Sequence, residues 1–233
     1  RSAASNPSPS TSKAVNAFSA TSFVIVSSTQ TDAMSRTRFK IRRATRGVPR
    51  ARRPSSRAAS SVNGQTILTL IAAQAEYGTA MQQLSINPEF IGIGPIEAAF
   101  NMTRIMLEKQ NSSTLPDFIF SIGTAGSSIL NQAELYQINS VTYRDMDASA
   151  FGFPKGTTPF TNYPAKFDLP VLFPDIPTAS LATGASVIDQ QGTSGQKFSD
   201  IEADCVDMES YAIARVAHYF NIPLIGLRGI SDG

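Results

Sequence analysis

Three carboxylates, Glu76, Glu209 and Asp232, stand next to segments that read as strand ends or helix starts. Cleavage of a glycosidic bond passes through an oxocarbenium-like state and commonly needs two acids in different roles. One carboxylate activates a water, while another delivers a proton to the leaving group from an environment that separates their pKa values. A third can accept charge-assisted hydrogen bonds from sugar hydroxyls. Any one of these acids alone reads as a helix cap or a solvated residue. All three on one edge could divide that work between them. Two glycine stretches accompany them, Gly92-Ile93-Gly94 and Gly123-Thr124-Ala125-Gly126, and small residues there would let backbone amides approach a ligand closely. Neither is a strong nucleotide signature. Glu97 stands where the dinucleotide fingerprint needs Gly or Ala, and no Lys follows the second stretch as a phosphate loop requires.

Other chemistries are thinly represented. The chain has one His, one Cys and no Trp. A single Cys excludes a disulfide scaffold and a Cys-based zinc cluster, and one His leaves few donors for a transition metal. Asp145 and Asp147 are the remaining candidate ligands, and two carboxylates at that spacing are weak evidence for a cation. His218 falls in the middle of an expected helix and reads as a surface or packing residue, Cys205 as a small buried side chain, and Met102 and Met106 as core filling. No metal and no organic cofactor is expected.

The elements that must position these acids follow from hydrophobic patterning. Ile67 to Ala73, Phe90 to Gly94 and Phe118 to Ile122 are short continuous apolar runs, as expected of strands buried on both faces. Pro95 to Lys109 reads as a helix with Pro in its first turn, and Asp207 to Phe220 as a second helix closed by Asn221 and Pro223. Tyr136 to Tyr143 has the β-branched and aromatic content of a strand, Ala179 to Ile188 contains another, and Leu224 to Leu227 runs as a strand into Arg228-Gly229-Ile230-Ser231-Asp232. Strands alternating with helices predict an α/β domain around a parallel or mixed sheet. In such sheets ligands lie beyond the carboxyl ends of the strands. The three acids and both glycine stretches fall on that edge.

Charge divides the 233 residues into two parts. Residues 1–63 hold 12 basic residues and one acid, a net +11, whereas residues 64–233 hold 8 basic and 17 acidic residues, a net −9. The first part is rich in Ser, Ala, Thr and Arg, and its one apolar cluster is Phe23 to Val26. Such a segment cannot offset its ordering entropy and is expected to be disordered. It fits an organellar leader, a basic arm for nucleic acid, or a solvated tail without a role. No aromatic residue interleaves the Arg run from Arg42 to Arg57, which argues against single-strand binding. The chain starts at Arg1, and Met34 is a candidate internal start. No apolar run is long enough to span a bilayer, so no membrane partner is expected and the cytoplasm is the expected compartment unless the leader redirects the chain.

Five motifs occur in one order: Ala72-Ala73-Gln74-Ala75-Glu76, Gly92-Ile93-Gly94, Gly123-Thr124-Ala125-Gly126, Val206-Asp207-Met208-Glu209-Ser210 and Leu227-Arg228-Gly229-Ile230-Ser231-Asp232. Together they resemble the 5′-methylthioadenosine/S-adenosylhomocysteine nucleosidases of the nucleoside phosphorylase superfamily. Asp147 to Phe153 (DASAFGF) and Ala182-Thr183-Gly184-Ala185 look like two further family segments, and the resemblance covers about residues 65–233. It implies a three-layer α/β/α nucleoside phosphorylase-like fold with a mixed central sheet. It also implies hydrolysis of adenine thionucleosides to adenine and a thioribose. By that resemblance Glu76 is the base for the attacking water, Asp232 the acid that protonates N7 of the leaving adenine, and Glu209 the carboxylate that holds the ribose hydroxyls. Met208 packs on the ribose, Thr124, Ala125 and Gly126 lie beside sugar and base, and Arg228 stands next to the water. Val187 and Ile188 flank the adenine, at a point where the family often has an aromatic in place of Val187. Phe151, Phe153 and Pro159 match residues that a neighbouring subunit lends to the 5′-alkylthio pocket, which implies a homodimer.

Three departures from the family accompany the match. Only 15 residues, Tyr77 to Ile91, separate Glu76 from Gly92, so a strand hairpin is expected to be shortened. The chain stops one residue after Asp232, which reads as a domain truncated before its C-terminal helix, and residues 1–63 have no counterpart. The related phosphorylases carry Arg where this chain has Ser121, and a phosphate dianion needs such a partner, so hydrolysis is favoured over phosphorolysis. The open alternatives are another purine nucleosidase or a phosphorylase, and an inactive nucleoside- or nucleic-acid-binding protein.

Overall fold

The computed structural model of the chain describes residues 60–62, 64–188 and 195–232. The basic segment to residue 59, with the disorder, leader and arm readings attached to it, lies outside the described residues. Ser60–Val62, which the charge boundary assigns to that segment, form strand β1 and pair antiparallel with β2 (Gln65–Ile71).

The remaining elements are α1 (Thr79–Gln83), β3 (Glu89–Phe90), α2 (Pro95–Asn111), β4 (Phe118–Gly126), β5 (Leu135–Tyr143), β6 (Lys166–Asp168), β7 (Thr178–Thr183), β8 (Cys205–Asp207), α3 (Ser210–Phe220) and β9 (Leu224–Asp232). The strands form one mixed sheet. Parallel pairs join β2 to β4, β4 to β9, β5 to β7 and β7 to β8, while β5 runs antiparallel to β9 and β4 meets β8 at Gly126 and Val206. The pairings β4–β9–β5–β7–β8–β4 therefore close on themselves, and the carboxyl ends of β4, β7, β8 and β9 converge. This is the mixed sheet with flanking helices that the family resemblance implies.

Burial explains why the continuous runs are legible. Leu224, Ile225, Leu227 and Ile230 of β9 are all buried, because β9 is flanked by β4 and β5. The two long helices pack on each other, with Met102, Ile105 and Met106 of α2 and Ile213, Val216 and Ala217 of α3 in the same core as Leu70, Ile119 and Ile138. Helix α2 starts where Pro95 follows Gly94, whose φ of 92° suits glycine. Helix α3 ends on Asn221 in the left-handed region, at φ 54°. Met102 and Met106 fill the core, Cys205 is buried, and His218 is exposed with ring contacts to Tyr163 and Phe167, as expected.

Several boundaries differ from expectation. The stretch Gly123 to Gly126 is not a turn: β4 continues through it, paired with β9. Asp207 belongs to β8 rather than to the helix, which begins at Ser210. The extended run Phe90 to Gly94 contributes a strand of only two residues before glycines at positive φ (86° at Gly92) turn the chain into α2. Between Glu76 and Gly92 the chain forms the short helix α1 and β3 in place of a hairpin. Among the described residues no helix is long and apolar enough to cross a membrane.

Candidate active site

Glu76 ends a single 3-10 turn, Gln74–Glu76, directly beyond β2. Four donors meet its carboxylate. Oε1 accepts from the Thr124 backbone N–H at 2.9 Å and from Thr124 Oγ1 at 3.0 Å, and Oε2 accepts from the N–H groups of Ala72 at 3.2 Å and Ala73 at 3.4 Å. The close approach of β4 depends on Gly123, where a Cβ would stand 3.1 Å from Glu76 Oε1. Glycine here serves proximity rather than φ, so the role of this stretch survives its reassignment from turn to strand.

Glu209 sits between β8 and α3, as the residue that opens the helix. Its Oε1 accepts the Gly94 N–H at 2.7 Å, which ties it to the start of α2. Burial pushes its carboxyl up to about 6; the Gly94 N–H and Arg228 work against that rise, while Asp207 and Glu76 add to it.

Beneath Glu209 lies a buried ion pair that the sequence reading did not single out. Asp207 Oδ2 accepts from Arg228 Nε at 3.2 Å and Nη2 at 3.0 Å, and Ser210 Oγ and Thr183 Oγ1 also donate to this carboxylate. The Arg228 Nη atoms reach the Ser121 carbonyl at 3.0 Å, Ser121 Oγ at 2.9 Å and Ser210 Oγ at 2.6 Å. Arg228 is 3% exposed and Asp207 7%. A buried pair contributes little net stability against an apolar isostere, yet breaking it is costly, so its use is to hold β4, β8, β9 and the start of α3 in one geometry. A signal for it existed: Arg228 interrupts an otherwise apolar strand, and a guanidinium there demands a buried acceptor.

These groups surround a cavity of about 320 Å3 lined by Glu76, Thr124, Val187, Ile188, Met208 and Glu209, with Ala125 and Gly126 also on its wall. Ile93, Ser186, Asp207 and Ser231 line it too and were not anticipated. None of the described lining residues is Lys, Arg or His. A second, much smaller cavity of about 10 Å3 lies below, bounded by Glu76, Ser121, Thr124, Glu209 and Arg228. It is about one water in size, and its walls are polar enough to hold one.

Glu76, Glu209, Met208, the Thr124–Gly126 stretch, Val187 and Ile188 thus come together, and Arg228 lies just beneath them. Asp232 is paired with Gly126 at the end of β9, which brings its backbone to the same strand end; its side chain lies outside the described residues. Phe151 and Phe153 are not on this cavity. Phe151 is 83% exposed, and Phe153 packs edge-to-face on Phe160 with ring centroids 5.5 Å apart. Asp145 and Asp147 are engaged by the backbone N–H groups of Ala185 and Ser149. Among the described residues, no three His, Cys, Asp or Glu side chains are grouped to hold a metal ion.

The geometry can be set beside known proteins. Residues 85–233 match the family described as the phosphorylase superfamily. A 5′-methylthioadenosine/S-adenosylhomocysteine nucleosidase of Staphylococcus haemolyticus is 33% identical over 156 residues, covering 60% of this chain and 65% of that protein. The chain spans just under two thirds of the length of the curated relatives it matches. Among solved structures, an S-adenosylhomocysteine nucleosidase of Streptococcus pyogenes in complex with 5-methylthiotubericidin superposes with a TM-score of 0.58 at 21% identity, over 74% of this chain and 86% of that one. The futalosine hydrolase of Helicobacter pylori superposes equally well, with a TM-score of 0.58 at 20% identity over 71% and 84%. Likeness at these identities speaks for the fold.

Proposed function

The chain belongs to the phosphorylase superfamily, and from that premise we propose that it hydrolyses the N-glycosidic bond of an adenine thionucleoside, 5′-methylthioadenosine or S-adenosylhomocysteine, to adenine and a thioribose. Glu76 takes a proton from the attacking water. Glu209 accepts hydrogen bonds from the ribose hydroxyls, with Met208 against the sugar. Asp232 protonates the purine as it leaves, and Val187 and Ile188 flank the base.

The observation that carries hydrolysis over phosphorolysis is the charge of the cavity. Its described lining presents Glu76, Asp207 and Glu209 and no cationic side chain. Arg228, beneath it, already donates to Asp207, Ser121, Ser210 and the Leu227 carbonyl, and Arg144, behind the wall, to Asp145, Gln196 and Ser186. A phosphate dianion would find carboxylates and no cationic side chain on that lining. A water beside Glu76 is supported by the small polar cavity that Glu76 and Arg228 share.

The 5′-alkylthio end requires an apolar wall, beyond the Ile93, Val187, Ile188 and Met208 that already line the described cavity. Phe151 and Phe153 of a second copy would supply it. The exposed row Ile96, Phe100 and Leu107 on α2 supports such a homodimer.

The test follows free adenine when the protein is incubated with methylthioadenosine, with and without phosphate. Adenine release independent of phosphate is expected. Glu76→Gln and Asp232→Asn should each lower kcat by at least about 100-fold, the scale of positioned acid–base catalysis. Strict phosphate dependence would make the protein a phosphorylase. Full turnover by Asp232→Asn would remove the leaving-group acid.

A further inference from the structure

Arg144 is the first residue after β5. It is 6% exposed, and its backbone N–H donates to Thr183 O at 3.0 Å. The guanidinium does not return to the core. It crosses Gly184 and reaches the chain leaving β7. Nη1 donates to Ser186 Oγ at 3.3 Å, to Asp145 Oδ1 at 3.2 Å and to Gln196 Oε1, while Nη2 donates to the Ser186 carbonyl. Asp145 completes the grip, its Oδ2 accepting the Ala185 N–H at 2.5 Å. From the other side, Gly184 N–H donates to Asp207 O at 3.1 Å. Gly184 has no alternative here, because a Cβ would overlap both the Arg144 guanidinium and Asp145 Oδ1.

The segment held in this way, Ser186 to Ile188, lines the cavity. Val187 itself is 65% exposed, so its side chain does little to fix the backbone there, whereas Ile188 is buried beside Ala182 and Val206 and anchors the far end of the segment. Burying a guanidinium is costly unless it is paired and hydrogen-bonded, and burial depresses the Arg144 pKa, with Asp145 and Asp207 offsetting part of that effect. Its Nε finds no hydrogen-bond partner, so the side chain is not placed to satisfy every donor. What its placement does achieve is to fix the Ser186 end of one wall of the cavity.

We propose that Arg144, braced by Asp145 and admitted by Gly184, is the positioning residue for the cavity wall at Ser186 to Ile188, and that it sets affinity for the purine end of the ligand. This rests on the reading above, in which the base lies against Val187 and Ile188. Arg144 does not touch substrate. Its removal should therefore act on KM and on binding of the product base, with little effect on the chemical step.

The experiment uses the full chain with adenine as probe, measured by calorimetry beside methylthioadenosine kinetics. Arg144→Ala should weaken adenine binding and raise KM by about tenfold each, the equivalent of about 1.4 kcal/mol, with the loss in KM rather than kcat. Arg144→Lys should recover part of the loss. Gly184→Ala leaves every charge in place but drives the guanidinium off its seat, so it should reproduce the defect. Should Arg144→Ala fail to fold, Gly184→Ala with its adenine affinity still tests the assignment. The double variant should be no worse than Arg144→Ala alone, since residues acting through one contact are not additive. Wild-type protein that binds adenine no more tightly than Arg144→Ala does, or single effects that multiply in the double variant, would overturn the assignment alone. Wild-type protein that binds no adenine overturns the functional reading and the assignment with it.

Discussion

Glu209 has two opposed demands on it. A carboxylate that accepts from ribose hydroxyls works best ionised, yet burial raises its pKa to about 6 from an ordinary 4.5. Folding thus favours the protonated form relative to the unfolded chain. The stability this group contributes is fully present below about 4.5 and is lost as pH rises through about 6. Glu209→Gln cannot ionise and keeps an oxygen for the Gly94 N–H. It should be more stable than wild type at pH 8 by about 1 kcal/mol, after allowance for partial solvent screening. The gap should close towards pH 4.5, and thermal melts across that range read it directly. In wild type the same titration should depress kcat/KM for methylthioadenosine as pH falls below about 6. A Glu209→Gln protein less stable than wild type at pH 8 would show that the burial cost is met elsewhere. The residue scale also shows what one sequence hides. Glu76 and Glu209 are visible because strand ends are where ligands sit. Asp207 looks like any other acid until Arg228 is known to lie opposite it, and Arg144 becomes meaningful only once β5 and the exit of β7 are adjacent.

At the scale of elements, the central feature is a strand that passes close beneath a carboxylate. β4 brings Thr124 to Glu76 only because Gly123 has no side chain. Its backbone is ordinary, so alanine should fold there, with the added Cβ pressing on Oε1. Gly123→Ala is expected to lower kcat/KM about 10- to 100-fold through misplacement of the carboxylate, with the thermal midpoint nearly unchanged. Wild-type turnover in that variant would mean Glu76 is not held by β4 in the working enzyme. The same strand shows why its boundaries are not legible in the sequence. Apolar runs announce β2, the first part of β4 and β9, while β5 shows itself by its β-branched and aromatic residues. A Gly-Thr-Ala-Gly stretch carries no such signal, and its extension comes from pairing with β9, which lies far away in the chain. β6 and β8 are three residues each, too short for any periodicity to register, and α1 has no amphipathic face long enough to read. What was legible was order: strand, acid, glycine, helix. What was not was length, which tertiary pairing decides.

At the scale of the whole molecule, the exposed side of α2 sets the question of assembly. Ile96, Phe100 and Leu107 are 80%, 66% and 44% exposed, and they border a groove of about 930 Å3 that continues past Tyr143, Tyr163 and Tyr211. Arg215 closes part of it, its guanidinium 3.2 Å from the centre of the Tyr163 ring. Phe160 stands 97% exposed nearby in sequence to Phe153, its ring partner. Apolar surface of this extent is uncommon on a protein that works alone. The homodimer proposed above would cover the α2 row and carry Phe151 and Phe153 of each copy to the other's cavity, so assembly and activity should fail together. Phe100→Glu places a charge in the middle of the row, where it would have to be desolvated without a partner. In sedimentation it should run as a monomer at concentrations where wild type is a dimer. Its KM for methylthioadenosine should rise while Glu76, Thr124 and Glu209 stay in place, because those residues belong to one copy. Dilution of wild type should produce the same rise at the concentration where the dimer dissociates. A wild-type monomer with full activity would leave the thioether pocket to be built from this copy alone, and Phe151 and Phe153 without the part assigned to them.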